Sequence, residues 1–266
     1  MTEYLRRRVD MNALAPVFDE ASLWGARFAF LMLDELELRP GIRALDIGCA
    51  TGLPLLELAR IHGEKARFVG VDVWSAALHQ AQKRTAFQGL RNASLAEADG
   101  HQLPFRSASF DLIVSNLGIN NFAHPETVFA ECARVARPGA RLALTTNVRG
   151  HLAEFYDVFR ELVPDKARLE SDEAHRGTVA SLRTRIASAG FEVTRVVERS
   201  FQLRFLDGSA MLRHPLVFWF LQGWREVVAP EDQERVFAEL EQKLNATAPL
   251  SMTVPMVYVE ATRAAS

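Results

Sequence analysis

The chain has 266 residues, a formal net charge of −2, 48% hydrophobic and 24% charged residues, which excludes a disordered chain and leaves ample material for a buried core. The near-neutral balance excludes a strongly basic nucleic-acid binder, and two cysteines, Cys49 and Cys132, exclude a disulfide framework. The richest apolar window, 215–224, is too short to span a bilayer, and Arg6-Arg7-Arg8 has no apolar run behind it, unlike a secretory signal, so a soluble cytoplasmic protein is expected.

Residues 2–40 read as helical. Leu14, Val17, Phe18, Ala21, Leu23 and Trp24 recur at helical spacing, and a second stretch from Ala26 to Leu36 ends at Pro40-Gly41. The pattern then changes. Short apolar runs at 44–48, 68–72, 93–98, 110–115 and 141–146 read as buried strands. Helical stretches at 53–61, 75–87 and 125–135 separate them, with Ser75 as an expected N-cap and Pro138-Gly139 as a turn. Beyond residue 146 come helices at 151–163 and 178–189, a strand at 191–197, a surface helix at 231–244 and a last strand at 254–262. Residues 201–250 interrupt the alternation with the aromatic cluster Phe218, Trp219, Phe220 and Trp224. Strands alternating with helices predict βαβ units and a parallel sheet with helices on both faces.

The chemistry is expected at Leu45-Asp46-Ile47-Gly48-Cys49-Ala50-Thr51-Gly52. This loop follows a strand and opens a helix, where open α/β sheets bind ligands. A Walker loop requires a Gly-Lys pair, and the chain has none. A nicotinamide fingerprint beginning at Gly48 would need glycine where Ala50 and Leu53 stand, and a pyrophosphate would face Asp46 across a low-dielectric crevice. S-adenosylmethionine carries a sulfonium and an amine and no phosphate, so an acid at the strand tip favours it. Asp72 ends the second strand, where a carboxylate can accept both ribose hydroxyls; a solvated strand end or helix cap is the alternative. Asp99 in Ala96-Glu97-Ala98-Asp99-Gly100 follows the third strand and can accept from an adenine amine, or merely shape an Asp-Gly turn. Ser109 to Asn116 reads as the strand beside the first.

These four ordered motifs, within residues 42–146, resemble the class I S-adenosylmethionine-dependent methyltransferases, and among them the small-molecule group that includes the ubiquinone/menaquinone C-methyltransferases. The resemblance implies a Rossmann-like three-layer α/β sandwich. Its sheet would have seven mostly parallel strands with an antiparallel last strand, N-terminal helices in front and a helical insert before the last strand. The implied domains are a helical cap at 1–40, a cofactor-binding core at 41–200 with 251–266, and a substrate lid at 201–250. The implied cofactor is S-adenosyl-L-methionine. Asp46, Gly48, Ala50 and Gly52 would line its methionine end, Asp72 its ribose, Val73 and Trp74 the adenine face, Asp99 and Gly100 the adenine edge, and Asn116 and Leu117 the sulfonium. Family members usually carry glycine where Ala50 stands; alanine keeps the approach close but is strained at positive φ.

Methyl transfer needs alignment and exclusion of water, with a base when the acceptor is a hydroxyl or an acidic carbon. His151, following the fifth strand, and His214, in the aromatic insert, are the candidates for that base. His62 and His79 read as surface residues, and His101 and His124 as neighbours of the adenine site or of a helix start. Asn120, Tyr156, Phe218, Trp219 and Trp224 are candidate acceptor contacts, although the aromatics serve equally well as packing. No metal site is expected. The expected activity is methyl transfer (EC 2.1.1 type) to a small apolar or aromatic acceptor, at oxygen or carbon, in a monomer or homodimer without nucleic acid. A protein of the same fold that binds the cofactor without transferring its methyl group is the alternative. The stretch Asn116-Leu117-Gly118-Ile119 carries no Pro-Pro motif of the nucleic-acid or protein methylating kind.

Overall fold

The computed structural model describes residues 3–264. Helices α1 (Met11–Leu14), α2 (Phe18–Ser22) and α3 (Trp24–Glu35) come first. Helix α3 buries Phe28, Ala29, Leu31 and Met32 along one stripe. Then follow β1 (Arg43–Ile47), α4 (Leu55–His62), β2 (Arg67–Asp72), α5 (Ser75–Phe87), β3 (Ala93–Glu97), β4 (Phe110–Asn116), α6 (Pro125–Val135) and β5 (Ala136–Asn147). The remainder is α7 (Ala153–Leu162), α8 (Lys166–Ala174), α9 (Val179–Ser188), β6 (Phe191–Phe205), α10 (Gly208–Arg213), α11 (Val217–Val227), α12 (Gln233–Ala246) and β7 (Leu250–Arg263).

The seven strands form one sheet in the order β3-β2-β1-β4-β5-β7-β6. Strand β1 pairs parallel with β2 and with β4, β2 with β3, and β4 with β5, whereas β7 and β6 are antiparallel. The expected Rossmann-like fold is therefore present. Strand order reverses at β1 and β4, so their carboxyl ends flank the crevice where such sheets take ligands. The apolar runs of β1 and β4 are buried almost throughout, as strands covered on both faces must be.

Local differences from the expected elements have simple causes. Pro138 and Gly139 fall inside β5, where pairing jumps from Phe110↔Ala136 to Leu112↔Arg141. The irregularity takes proline out of the ladder, which it cannot serve as a donor. Ser75 is the first helical residue of α5, not its cap; Trp74 holds the cap position, and the Ser75 hydroxyl donates to Glu97 Oε2 at 2.7 Å. Helix α8 was not expected. It buries only Leu169 and starts from Asp165, whose side chain accepts the Arg168 amide, so it leaves little periodic signal. Strand β6 runs on to Phe205 through largely exposed residues, which an apolar pattern does not register.

The chain divides into two compact units. The sheet unit comprises Met11–Thr146, Thr178–Glu198 and Val257–Ser266. In it α4 packs on β2 and α5 on β3, burying Leu55, Leu58, Ala77 and Leu78. The helical unit comprises Met1–Asp10, Asn147–Gly177 and Arg199–Met256. There α12 packs on α7 and α10, and α11 on α8. Its core is aromatic: Phe155 stacks on Trp224 with ring centroids 3.9 Å apart, and Phe159 meets Phe237 at 5.7 Å. Among the described residues no helix is long and apolar enough to cross a membrane.

Candidate functional site

The loop between β1 and α4 is built on left-handed backbone. Gly48 has φ +75 and Gly52 φ +98. A Cβ on Gly52 would come within 2.9 Å of Leu56, so a side chain there would displace the first turn of α4. Ala50 between them has φ 42, a conformation that costs an L residue about 1–2 kcal/mol. The loop is held by the Gly48 and Cys49 amides, which both donate to the Val71 carbonyl at 2.9 and 3.1 Å. Beneath it, Gly70 leaves room for Cys49, since a Cβ there would sit 2.8 Å from Sγ.

Asp46 is the electrostatic anomaly of the sheet unit. It is 1% exposed, and neither carboxylate oxygen has a hydrogen-bond partner among the described residues. The Leu55 amide favours its charged form without reaching hydrogen-bond geometry. Burial, and secondly the charge of Asp72, push its pKa up to about 8. Burial likewise raises the Cys49 thiol, with Asp46 and Asp72 adding to it, so Cys49 stays protonated. A buried carboxylate without a partner is costly unless a cation reaches it.

Asp72 is fixed from two sides. Its Oδ2 accepts the Ala50 amide at 2.8 Å and its Oδ1 the Trp74 amide at 2.9 Å. The strained loop and the tip of β2 are thus clamped together through one carboxylate whose remaining lone pairs stay available. Val73 is exposed, and the half-buried Trp74 receives the ring of Phe18 edge-on at 5.2 Å. Asp99 Oδ1 accepts both the amide of His101, at 2.9 Å, and its ring Nδ1, at 2.6 Å. These bonds hold the Asp99 carboxyl below the usual range. Gly100 is buried, and a Cβ on it would lie 3.2 Å from Ile47 and 3.5 Å from Phe122.

At the tip of β4 the Ser115 hydroxyl donates to the Ile47 carbonyl at 2.7 Å, tying β4 to β1. Asn116 spends its side chain on the fold: Oδ1 accepts from Thr145 Oγ1 at 2.7 Å and Nδ2 donates to Gly25 at 3.1 Å. Leu117 follows in the left-handed region at φ 65. Gly118 is required next, because a Cβ would approach Ser115 Oγ to 2.5 Å and the Ile47 carbonyl to 3.0 Å. Asn120 sits half-buried in the 3-10 turn Gly118–Asn121.

Asp19, Thr51 and Arg84 were not anticipated. Thr51 Oγ1 donates to Asp19 at 2.8 Å, and Arg84 pairs with Asp19 and donates to the Thr51 carbonyl. This network anchors α2 to the glycine loop. No local motif announces it, because the three residues come from separate segments.

The other candidates lie in the helical unit. His151 is 3% exposed, its ring 5.0 Å from that of Phe220. Burial, and secondly the Arg176 charge, hold its pKa well below the usual histidine value. Tyr156 donates its hydroxyl to Asp172 Oδ2 at 2.7 Å and accepts from Trp224 Nε1 at 3.1 Å; burial raises its pKa first of all. His214 accepts the Leu216 amide on Nδ1 at 3.2 Å, and burial lowers its pKa. Phe218 lies under the Arg7 guanidinium at 5.0 Å. The Trp219 side chain lies outside the described residues. His151 and Tyr156 also line a cavity of about 240 Å³ within this unit. Among the described residues no cluster of three metal-ligating side chains occurs.

The donor set of the sheet unit fits S-adenosylmethionine: a buried carboxylate lacking a cation, a clamped second carboxylate and a loop whose glycines bring backbone close. Residues 45–144 match the methyltransferase domain family. The nocamycin O-methyltransferase of Saccharothrix syringae is 28% identical over 276 residues, spanning 93% of this chain and 95% of that protein. The ubiquinone/menaquinone biosynthesis C-methyltransferase UbiE of Coxiella burnetii is 28% identical over 185 residues, spanning 64% of this chain and 73% of that protein. Among solved structures, the cyclase SpnF is alike in fold, with a TM-score of 0.63 at 17% identity over 96% of this chain and 94% of that one.

Proposed function

We propose that residues 45–144, which match the methyltransferase domain family, form a class I S-adenosylmethionine-dependent methyltransferase domain, and that the chain transfers the methyl group to a small, apolar or aromatic acceptor, at oxygen or carbon, by in-line displacement. When bound, S-adenosylmethionine supplies an already activated methyl group on a cationic sulfur. The observation that carries the proposed cofactor site is Asp46, a buried carboxylate without a hydrogen-bond partner among the described residues. Its charge is the counterpart of the cofactor's cationic end. Gly48, Ala50 and Gly52 bring backbone to the same end. Asp72, held rigid by the Ala50 and Trp74 amides, accepts the ribose hydroxyls on its free lone pairs. Val73 and Trp74 cover the adenine face, and Asp99 and Gly100 meet its edge.

Asn116 acts through its neighbours. With its amide engaged by Thr145 and Gly25, it holds the backbone of Asn116 and Leu117 at the sulfonium end. For the acceptor, His151 is the proposed base: burial and the Arg176 charge hold the imidazole neutral at neutral pH, and a negative charge bound beside it would raise its affinity for the proton it takes. His214, also neutral, is the second candidate. Asn120, Tyr156, Phe218, Trp219 and Trp224 are the proposed acceptor contacts. The O- and C-methyltransferase names of the two relatives support a small-molecule acceptor reached at oxygen or carbon.

The test is transfer from methyl-labelled S-adenosylmethionine to a set of phenols, enols, quinols and carboxylic acids. The expected result is S-adenosylhomocysteine release with label in one acceptor class. Tight cofactor binding with no transfer across the set would refute the proposal and favour a protein that binds the cofactor for other chemistry.

A further inference from the structure

The cavity in the helical unit has an unbalanced charge. Its walls carry Arg149, Arg160 and Arg176 against Asp157 and Glu173. Arg160 consumes both acids: its Nη2 contacts Glu173 Oε1 and Oε2 at 2.6 and 2.8 Å, and its Nη1 contacts Asp157 at 3.0 Å. Arg149 makes no ion pair among the described residues, and Arg176 none either; the Arg176 guanidinium lies 5.7 Å from the centre of the Phe220 ring. The two arginines are brought to one wall by the Arg149 amide, which donates to the carbonyl of Gly177, the residue after Arg176, at 3.0 Å.

The rest of the lining does not neutralise them. His151 is uncharged at neutral pH. Tyr156 remains a phenol and donates a hydrogen bond to Asp172 Oδ2, which is thereby engaged. Arg149 is exposed, while Arg176 is half-buried, where its attraction for an anion is screened less than at the open surface.

We propose that this cavity binds a carboxylate of the acceptor, with Arg176 and Arg149 as its two cationic partners. Guanidinium groups suit this task because their planar donors match the two oxygens of a carboxylate. The volume of about 240 Å³ holds a carboxylate with a ring or short chain attached and is smaller than a whole drug-sized ligand requires. The acceptor is then an organic acid whose charge is anchored here. This inference rests on the acceptor being a small molecule, as proposed above.

The test is calorimetric titration of the full-length protein with acetate, benzoate, phenylacetate and 4-hydroxybenzoate, each beside its neutral amide, and with inorganic phosphate. At least one carboxylate binds, its amide does not, and affinity falls as salt rises. Arg176→Gln and Arg149→Gln each weaken that carboxylate roughly tenfold or more. Both variants keep the native affinity for S-adenosylhomocysteine and the native unfolding temperature, which separates loss of the anion site from loss of the fold. Binding of no carboxylate, equal binding of acid and amide, or unchanged affinity in both variants would overturn the proposal. Phosphate binding more tightly than every carboxylate would overturn the choice of anion. Failure of S-adenosylhomocysteine to bind, with carboxylate binding intact, would instead strike at the proposed cofactor site.

Discussion

Replacing Asp46 by asparagine removes the charge while keeping the shape, and the structure gives both the sign and the size of the effect. The Asp46 carboxyl titrates near 8 in the folded chain against an ordinary value of 3.8. Between those values the folded state holds a proton that the unfolded state has lost, so the contribution of Asp46 to stability falls as pH rises from about 4 to about 8. At pH 7 the difference spans about three pKa units, or about 4 kcal/mol of cost. The asparagine amide leaves buried donors to satisfy, which returns about 1–3 kcal/mol of that. The net expectation is a ligand-free variant more stable at pH 7 by roughly 2 kcal/mol, or an unfolding temperature about 4–8 °C higher. Cofactor binding should move the other way. Near pH 7 most of Asp46 is protonated in the free protein, and a cation beside it expels that proton. Calorimetry of S-adenosylhomocysteine binding in buffers of different ionisation enthalpy should therefore show up to about one proton more released by the native chain than by Asp46→Asn. Equal proton release by the two proteins, or a variant less stable than the native chain at pH 7, would refute the electrostatic account of this loop.

Asp72→Ala removes the acceptor of the Ala50 and Trp74 amides and the proposed ribose contact, and should weaken S-adenosylhomocysteine binding roughly 100-fold by calorimetry. Ala50→Gly relieves the left-handed backbone at φ 42 and should raise stability by about 0.5–1 kcal/mol in denaturant titration, the strain relief exceeding the greater unfolded-state freedom of glycine. Tyr156→Phe leaves the buried Trp224 indole donor without its acceptor and should cost about 1–3 kcal/mol, with a shift in tryptophan emission.

Much of the architecture is legible as pattern. Largely apolar runs of five residues at Ala44–Gly48 and Phe68–Asp72, separated by helical spacing, specify buried parallel strands because both faces of those strands are covered. Helix α5 spans the residues its periodicity indicates, since Ala77, Leu78 and Ala81 form one apolar stripe. The loop of Asp46, Gly48 and Gly52 announces itself by residue type, because small residues at a strand tip and an acid in place of a phosphate-binding lysine are local properties. Helix α8 and the outer half of β6 carry no such signal: one buries a single residue and the other is mostly exposed.

The sequence alone therefore determined the alternation of strands and helices through β5, the glycine loop and the acids beside it, since each depends on neighbours a few residues away. Only the tertiary structure decided what those groups face. It left Asp46 buried without a hydrogen-bond partner among the described residues, spent the Asn116 side chain on Thr145 and Gly25, joined Asp19 to Thr51 and Arg84, and brought Arg149 and Arg176, neither ion-paired among the described residues, to one cavity. Burial and charge pairing depend on residues far apart in the chain, and no local pattern records which of them will meet.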